Sequence, residues 1–263
     1  MYLNHFKMTA YPFTEPAPLD RMLKDERINE GLVRLQYLSE RGNIGLLTGP
    51  TGMGKSSLLA LFIASLSRNR YRPLYLHLTN VKAQPLLRLI VTEMGEKPAR
   101  GKEQLFLQIL ENTKKTKLIS LLAIDEAQYL DSETLVDLRL LATSGLNQAP
   151  PIKILLSGQE PLVQLLKRSC HADLVNRITV RYRLHPLTRE QSVSYIDHQI
   201  KTVGASDKIF EKESKSIIHD YAGGVPRQIN NLANACLMNA ASKNLQRIDE
   251  ELVNATTSEL QLP

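Results

Sequence analysis

The chain has 263 residues, 43% hydrophobic and 23% charged, a balance that predicts a soluble globular protein built as one large α/β domain with a small second domain. A chain of this length buries a core without staples. Its two cysteines, Cys170 and Cys236, fit neither a metal spacing nor a disulfide framework, which points to a reducing compartment. Lysine and arginine number 33 against 27 acidic residues, so nucleic acid or another polyanion is as good an expectation for a partner as a plain solvated surface.

The first residues, MYLNHFKMTAYPF, lack the basic segment and apolar core of a signal peptide. The longest apolar run, around Leu58 to Leu66, is far short of the roughly 20 residues a bilayer needs. The expectation is therefore a cytoplasmic protein without membrane contact.

Residues 1–20 hold three prolines and no periodicity and read as an N-terminal arm. Ile28, Leu32, Leu35 and Leu38 keep helical spacing over about 26–40. The apolar run Ile44 to Thr48 predicts a strand, followed by a glycine-rich turn and a helix from Lys55 to Leu66. A second strand is expected over Leu74 to Leu78 after Pro73, then helices over 84–94 and 102–114. Leu118 to Ile124 is almost wholly apolar, as a strand covered on both faces should be. A helix from Ser132 to Ala142, a strand from Ile152 to Leu156 after Pro150 and Pro151, and a short strand from Ile178 to Leu184 complete the alternation. Strands alternating with helices predict a mainly parallel sheet between helices over 21–185. After Pro186 the strand pattern stops. Thr188 and Gln191 form a capping box that opens a helix to Val203, and helices follow over 210–221, 226–242 and 249–260, so 186–263 reads as a small all-helical domain.

Gly49-Pro50-Thr51-Gly52-Met53-Gly54-Lys55-Ser56 satisfies G-x(4)-G-K-S/T between a strand and a helix. The glycines let backbone N–H groups turn inward on phosphate oxygens, and the helix N-terminus adds its positive end. Lys55 is placed to meet the outer phosphates, Ser56 to ligate Mg2+, and Ser57 to extend the binding loop. The third strand ends in Asp125-Glu126. Asp125 is expected to hold Mg2+ through its water shell, and Glu126 to orient and polarise the attacking water. ATP and Mg2+ are the cofactors this pair of motifs predicts, and hydrolysis rests mainly on Glu126.

These residues carry a resemblance to the AAA+ ATPases, more narrowly to the ExeA (general secretion pathway protein A) type. It runs over nearly the whole chain: MYLNHF with Pro12-Phe13, the loop at Gly49, Asp125-Glu126-Ala127-Gln128, Leu156-Ser157-Gly158-Gln159-Glu160-Pro161-Leu162, Asn176-Arg177-Ile178, Leu184-His185-Pro186-Leu187, and Gly223-Gly224-Val225-Pro226-Arg227-Gln228-Ile229-Asn230. The resemblance implies that the helical domain is a lid and that Ser157 or Gln159 senses the γ-phosphate. It further implies that Arg227 is a second sensor reaching the phosphates. An arginine from a neighbouring subunit completes such a site; Arg177 is the first candidate by motif, with Arg181 and Arg183 behind it. Phe13 or its neighbours would line the base pocket, or Phe13 would pack beneath the helix at 26–40.

Two functional classes follow from that resemblance. ExeA-type proteins carry a membrane span and a peptidoglycan-binding domain after the ATPase, and neither is expected before the last residue, Pro263. Stand-alone relatives similar to the MuB and TnsC transposition helpers bind duplex DNA when loaded with ATP, assemble into rings or filaments and recruit a transposase. The preferred expectation is this second class: self-assembly into a hexamer-like ring or a filament, with duplex DNA and a transposase as partners. Lys82, on the nucleotide side of the sheet, is the leading DNA contact, joined by Arg68, Arg70 and Arg72 around Tyr71; Lys114, Lys115 and Lys117 form a further cluster.

Overall fold

The computed structural model describes residues 2–77, 82–144 and 152–260. Leu78, Pro150 and Pro151, used above to bound two strands, lie outside the described residues. The described chain divides into two compact units. One comprises 27–51 and 58–184; the other comprises 1–26, 52–57 and 185–263.

The first is the sheet unit. Its strands are β1 (Ile44–Thr48), β2 (Tyr71–His77), β3 (Ile119–Asp125), β4 (Lys153–Gly158) and β5 (Ile178–Arg183). All pair in parallel in the order β2-β3-β4-β1-β5. Central β1 and β4 are buried along their whole length, as their apolar sequences require, whereas edge strand β5 alternates between buried and exposed residues. Helix α2 (Glu26–Arg41) leads into β1, and α3 (Lys55–Ser65), α4 (Ala83–Glu93), α5 (Lys102–Lys115) and α6 (Ser132–Thr143) connect the strands from β1 to β4. Leu46, Leu122, Ile124, Ile154 and Leu156 of the sheet pack with Leu86, Ile90, Leu105, Leu135 and Leu138 of the helices in one apolar core.

β2 begins three residues earlier than its apolar run suggests, and it carries Pro73 inside it, opposite Leu121. Proline is tolerated there because β2 is an edge strand, where a missing N–H costs no ladder bond on the open side.

The helical unit contains α9 (Arg189–Thr202), α10 (Lys212–Ala222), α11 (Pro226–Ser242) and α12 (Glu250–Leu260). The capping box expected at Thr188 and Gln191 is formed in both directions. Gly223, in the left-handed conformation, ends α10. The N-terminal arm belongs to this unit. A single turn of helix, α1 (Tyr2–His5), and the residues after it bury Tyr2, Phe6, Met8 and Phe13 among the side chains of α9, α10, α11 and α12. The Phe13 ring meets Phe210 edge-on with centroids 6.4 Å apart. Phe13 is therefore a core residue of the helical unit, not a prop beneath α2. Two short helices, α7 (Glu160–Leu166) and α8 (Ala172–Val175), lie in the sheet unit between β4 and β5. No described helix is long and apolar enough to cross a membrane.

Candidate functional site

The parallel order sends the C-terminal ends of β1, β3 and β4 to one edge of the sheet. Thr48 pairs with Gly158 and Leu47 with Ser157, while Ile124 pairs with Leu156. The register thus sets Asp125 beside Ser157, with the phosphate loop leaving the same edge after Thr48. Ligand crevices in open α/β sheets form at such an edge.

Asp125 is fully buried and hydrogen-bonded through both carboxylate oxygens. Oδ1 accepts from Ser157 Oγ at 2.8 Å and from the Glu126 N–H at 3.0 Å. Oδ2 accepts from the Tyr75 hydroxyl at 3.2 Å, and His77 Nδ1 stands 3.9 Å from it. Burial first, then the neighbouring Asp125 charge, pushes the Tyr75 hydroxyl up to about 12, so it stays a proton donor to Asp125 at neutral pH. Tyr75 and His77 were not expected at the site. Their only sequence signal is alternation along β2, which puts both on the same face two residues apart.

Glu126 sits in the left-handed conformation, φ 56° and ψ 37°. For a non-glycine residue this costs about 1–3 kcal/mol, and such strain is concentrated where function requires it. The turn lifts Glu126 out of the strand and hands its carboxylate to two amides. Gln159 Nε2 donates to Glu126 Oε2 at 3.1 Å, and Gln128 Nε2 donates to the same oxygen. The two residues between which the γ-phosphate sensor could not be chosen therefore have different partners. Ser157 is bound to Asp125, and Gln159 to Glu126.

The phosphate loop crosses the division between the units in sequence, Gly49–Thr51 counting with the sheet unit and Gly52–Ser57 with the helical unit. Gly52 and Gly54 take positive φ angles of 76° and 95°, a conformation glycine adopts without penalty. A Cβ on Gly54 would find no atom within 4 Å, so the space beside this residue is open. Lys55 is buried at the first turn of α3 and Ser56 is exposed. Open space, positive helix end, lysine and hydroxyl together suit a triphosphate.

In the helical unit, Arg227 follows Pro226 at the start of α11, and its backbone N–H donates to the Gly52 carbonyl at 3.3 Å. A Cβ on Gly52 would come within 2.8 Å of Arg227 Cβ, so glycine is also required for this approach. The guanidinium is engaged by the arm: Arg227 Nε lies 3.0 and 2.9 Å from the two oxygens of Glu15.

Of the three candidate trans arginines, Arg181 Nη2 donates to the Val175 carbonyl at 3.0 Å, and Arg183 pairs with Glu160 at 3.6 Å. Arg177 is exposed, and among the described residues its guanidinium has no hydrogen bond or ion pair.

The cations considered for DNA do not form one surface. Arg68 and Arg70 are exposed before the start of β2, and Arg70 lies over the Tyr71 ring, 5.3 Å from its centroid. Lys82 follows the opposite end of that strand and is exposed at the N-cap of α4. Arg72 must be removed from the set. It lies within β2, where its Nη2 donates to Asn112 Oδ1 at 2.7 Å and Ser120 Oγ at 2.9 Å. Burial pulls its pKa down from the usual arginine value, against the opposing pull of Glu96. Position explains the difference: Arg68 and Arg70 precede the strand, whereas Arg72 lies inside β2 beside β3 and α5, where its guanidinium is consumed by the fold.

Residues 38–166 match the model of the AAA domain. The chain is 29% identical over 256 residues to general secretion pathway protein A of Aeromonas hydrophila, covering 94% of this chain and 46% of the relative, so it spans about half of that protein's length. The Aeropyrum pernix ORC2 protein, solved in ADPNP–ADP complexes, superposes with a TM-score of 0.72 at 17% identity, over 94% of this chain and 70% of that one. Drosophila ORC bound to DNA gives a TM-score of 0.76 at 14% identity, over 100% and 66% of the two chains. The five-stranded parallel sheet followed by a helical C-terminal part is the α/β fold of these solved structures, and the AAA-domain match spans its sheet from before β1 to beyond β4.

Proposed function

We propose that this chain binds and hydrolyses Mg-ATP, assembles with further copies of itself in the ATP state, and in that state holds duplex DNA. The observation that carries the catalytic part is the paired arrangement at the sheet edge. Asp125 is fixed by Ser157 and Tyr75, and Glu126 is held apart from it by Gln128 and Gln159. Two adjacent carboxylates with separate donor sets suit two separate tasks.

On this reading, loop N–H groups and Lys55 hold the phosphates, and Ser56 and Asp125 hold Mg2+. Such a metal, when bound, would supply positive charge to offset that of the phosphates. Glu126 takes a hydrogen bond from the attacking water and accepts its proton as the water oxygen bonds to the γ-phosphorus and the bond from that phosphorus to the β–γ bridging oxygen breaks, releasing ADP and phosphate. Arg227 steadies the phosphates once it exchanges Glu15 for them. Arg177, exposed and unengaged among the described residues, is the arginine that completes a neighbouring copy's site.

The DNA part rests on Lys82. A helix N-terminus disfavours a cation, so capping does not account for Lys82 at the N-cap of α4, where Asp131 is an electrostatic neighbour. An exposed cation there is available to a phosphate backbone. Arg68 and Arg70, at the other edge, form a second and separate candidate contact. A transposition helper that recruits a transposase is the specific role this combination fits. The identity with general secretion pathway protein A favours a second reading, an ATPase of a secretion or envelope-assembly system.

Negative-stain microscopy of the protein with duplex DNA, with and without ATP and Mg2+, tests the proposal. ATP-dependent rings or filaments on DNA, weakening steeply as salt is raised, are the expected result. Absence of DNA binding at low salt with ATP and Mg2+ would remove the DNA reading and leave the secretion reading.

A further inference from the structure

We infer that Gln128 is a positioning residue for hydrolysis: it bridges the ends of β3 and β4 and holds the Glu126 carboxylate in place for the attacking water. The inference rests on the reading of Glu126 as the group that accepts the water's proton, and deepens it.

Gln128 lies in the short turn Ala127–Tyr129 that follows the left-handed Glu126. Its side chain is half-buried and makes two directed contacts. The amide Nε2 donates back to Glu126 Oε2. The amide Oε1 accepts the backbone N–H of Gln159, 3.2 Å away, just past the end of β4. The side chain of Gln159 then returns to the same Glu126 oxygen at 3.1 Å. The result is a closed ring of hydrogen bonds joining Glu126, Gln128 and Gln159. Because Gln128 Oε1 is fixed by a backbone donor, the amide cannot flip without losing it, and Nε2 is committed to the carboxylate.

The fold makes room for this bridge. Gly158 is the last residue of β4, and a Cβ there would stand 2.9 Å from Gln128 Oε1 and 2.8 Å from Leu162 Cδ2. The side chain of Gln128 thus lies across a position that only glycine leaves open. Both amides act on Oε2, while Oε1 makes no hydrogen bond among the described residues. The bridge selects which oxygen faces a water and fixes the plane in which it does so. A carboxylate on a long, freely rotating stem would spend most of its time elsewhere, and loss of orientation of this kind costs roughly 100-fold in rate.

The test is a double-mutant cycle on the full chain, reading ATP hydrolysis, KM and equilibrium nucleotide affinity by fluorescence of a labelled ATP. Gln128→Met keeps length and removes the donor; Gln128→Asn keeps the amide but withdraws it by one methylene, and serves if the Met variant folds poorly. Both should lower kcat by about 10–100-fold while KM and nucleotide affinity stay within about 3-fold. In a Glu126→Gln background, Gln128→Met should lower residual hydrolysis no further, because Gln128 works only through Glu126. The inference is overturned if both variants keep kcat within about 2-fold of the parent while Glu126→Gln is inactive, or if Gln128→Met lowers the residual rate of Glu126→Gln by the same factor as it lowers the parent's. Full hydrolysis by Glu126→Gln is a different failure, which removes the role of Glu126 itself and the positioning role with it.

Discussion

Ser157 Oγ donates to Asp125 Oδ1 across 2.8 Å, and neither side chain touches solvent. β3 and β4 are neighbours in the sheet, so this bond locks the ends of two strands to each other at the edge where the phosphate loop begins. Ser157→Ala removes the donor and leaves a buried carboxylate oxygen with one fewer partner. We expect a loss of about 1–3 kcal/mol in stability, measured by chemical denaturation. Hydrolysis should fall further than nucleotide affinity, since the carboxylate also loses its orientation.

Glu15 and Arg227 tie the N-terminal arm to the start of α11. Both side chains are nearly half exposed, so the pair is worth no more than about 1 kcal/mol. Glu15→Gln frees the guanidinium and should tighten ATP binding by about 2–5-fold. Arg227→Ala should weaken it instead. Titration calorimetry on both variants checks the opposed signs.

Gly52→Ala asks for two things at once: a side chain at φ 76° and space occupied by Arg227 Cβ and Val225 Cγ1. Destabilisation of about 1–3 kcal/mol and loss of nucleotide binding are expected. A thermal melt with and without ATP reads both, because a variant that cannot bind ATP gains no stability from it.

On the proposal that Arg177 serves the next copy, Arg177→Ala should fold and bind ATP normally yet hydrolyse poorly. Glu126→Gln should keep only a small residual rate, for a different reason. Mixing the two variants restores interfaces that contain one intact Arg177 and one intact Glu126. Partial recovery of hydrolysis in the mixture, and none in either variant alone, is the expected outcome. No recovery would place the arginine's work within its own chain, or remove it.

Cys236 is fully buried in the helical unit, and burial pushes its thiol up to about 12, opposed only by its contact with Thr256. Cys170 is exposed. A thiol reagent at pH 8 should modify Cys170 rapidly in the folded protein and Cys236 only after unfolding, because the thiolate is the reactive form. Mass spectrometry of the labelled peptides distinguishes them.

The phosphate loop, the apolar strand ending in Asp125-Glu126 and the change to all-helical pattern after Pro186 were legible because each is written in adjacent residues. The periodicities of 2 and 3.6 need no partner to be recognised, and a loop that curls around phosphate must carry its glycines at fixed spacing. What joins distant segments was not legible in the same way. Arg72 reads as one of three alternate basic residues, yet only the packing of β2 against β3 and α5 consumes it. Phe13 could be placed under several helices; only the assembled helical unit sets it against Phe210. Ser157 and Gln159, two residues apart, could not be told apart by type. The parallel register of β3 and β4 gave one to Asp125 and the other, with Gln128, to Glu126. Local chemistry is decided by neighbours in the chain, but the orientation of a buried carboxylate is decided by donors from other strands, and strand order becomes visible only when the sheet is formed.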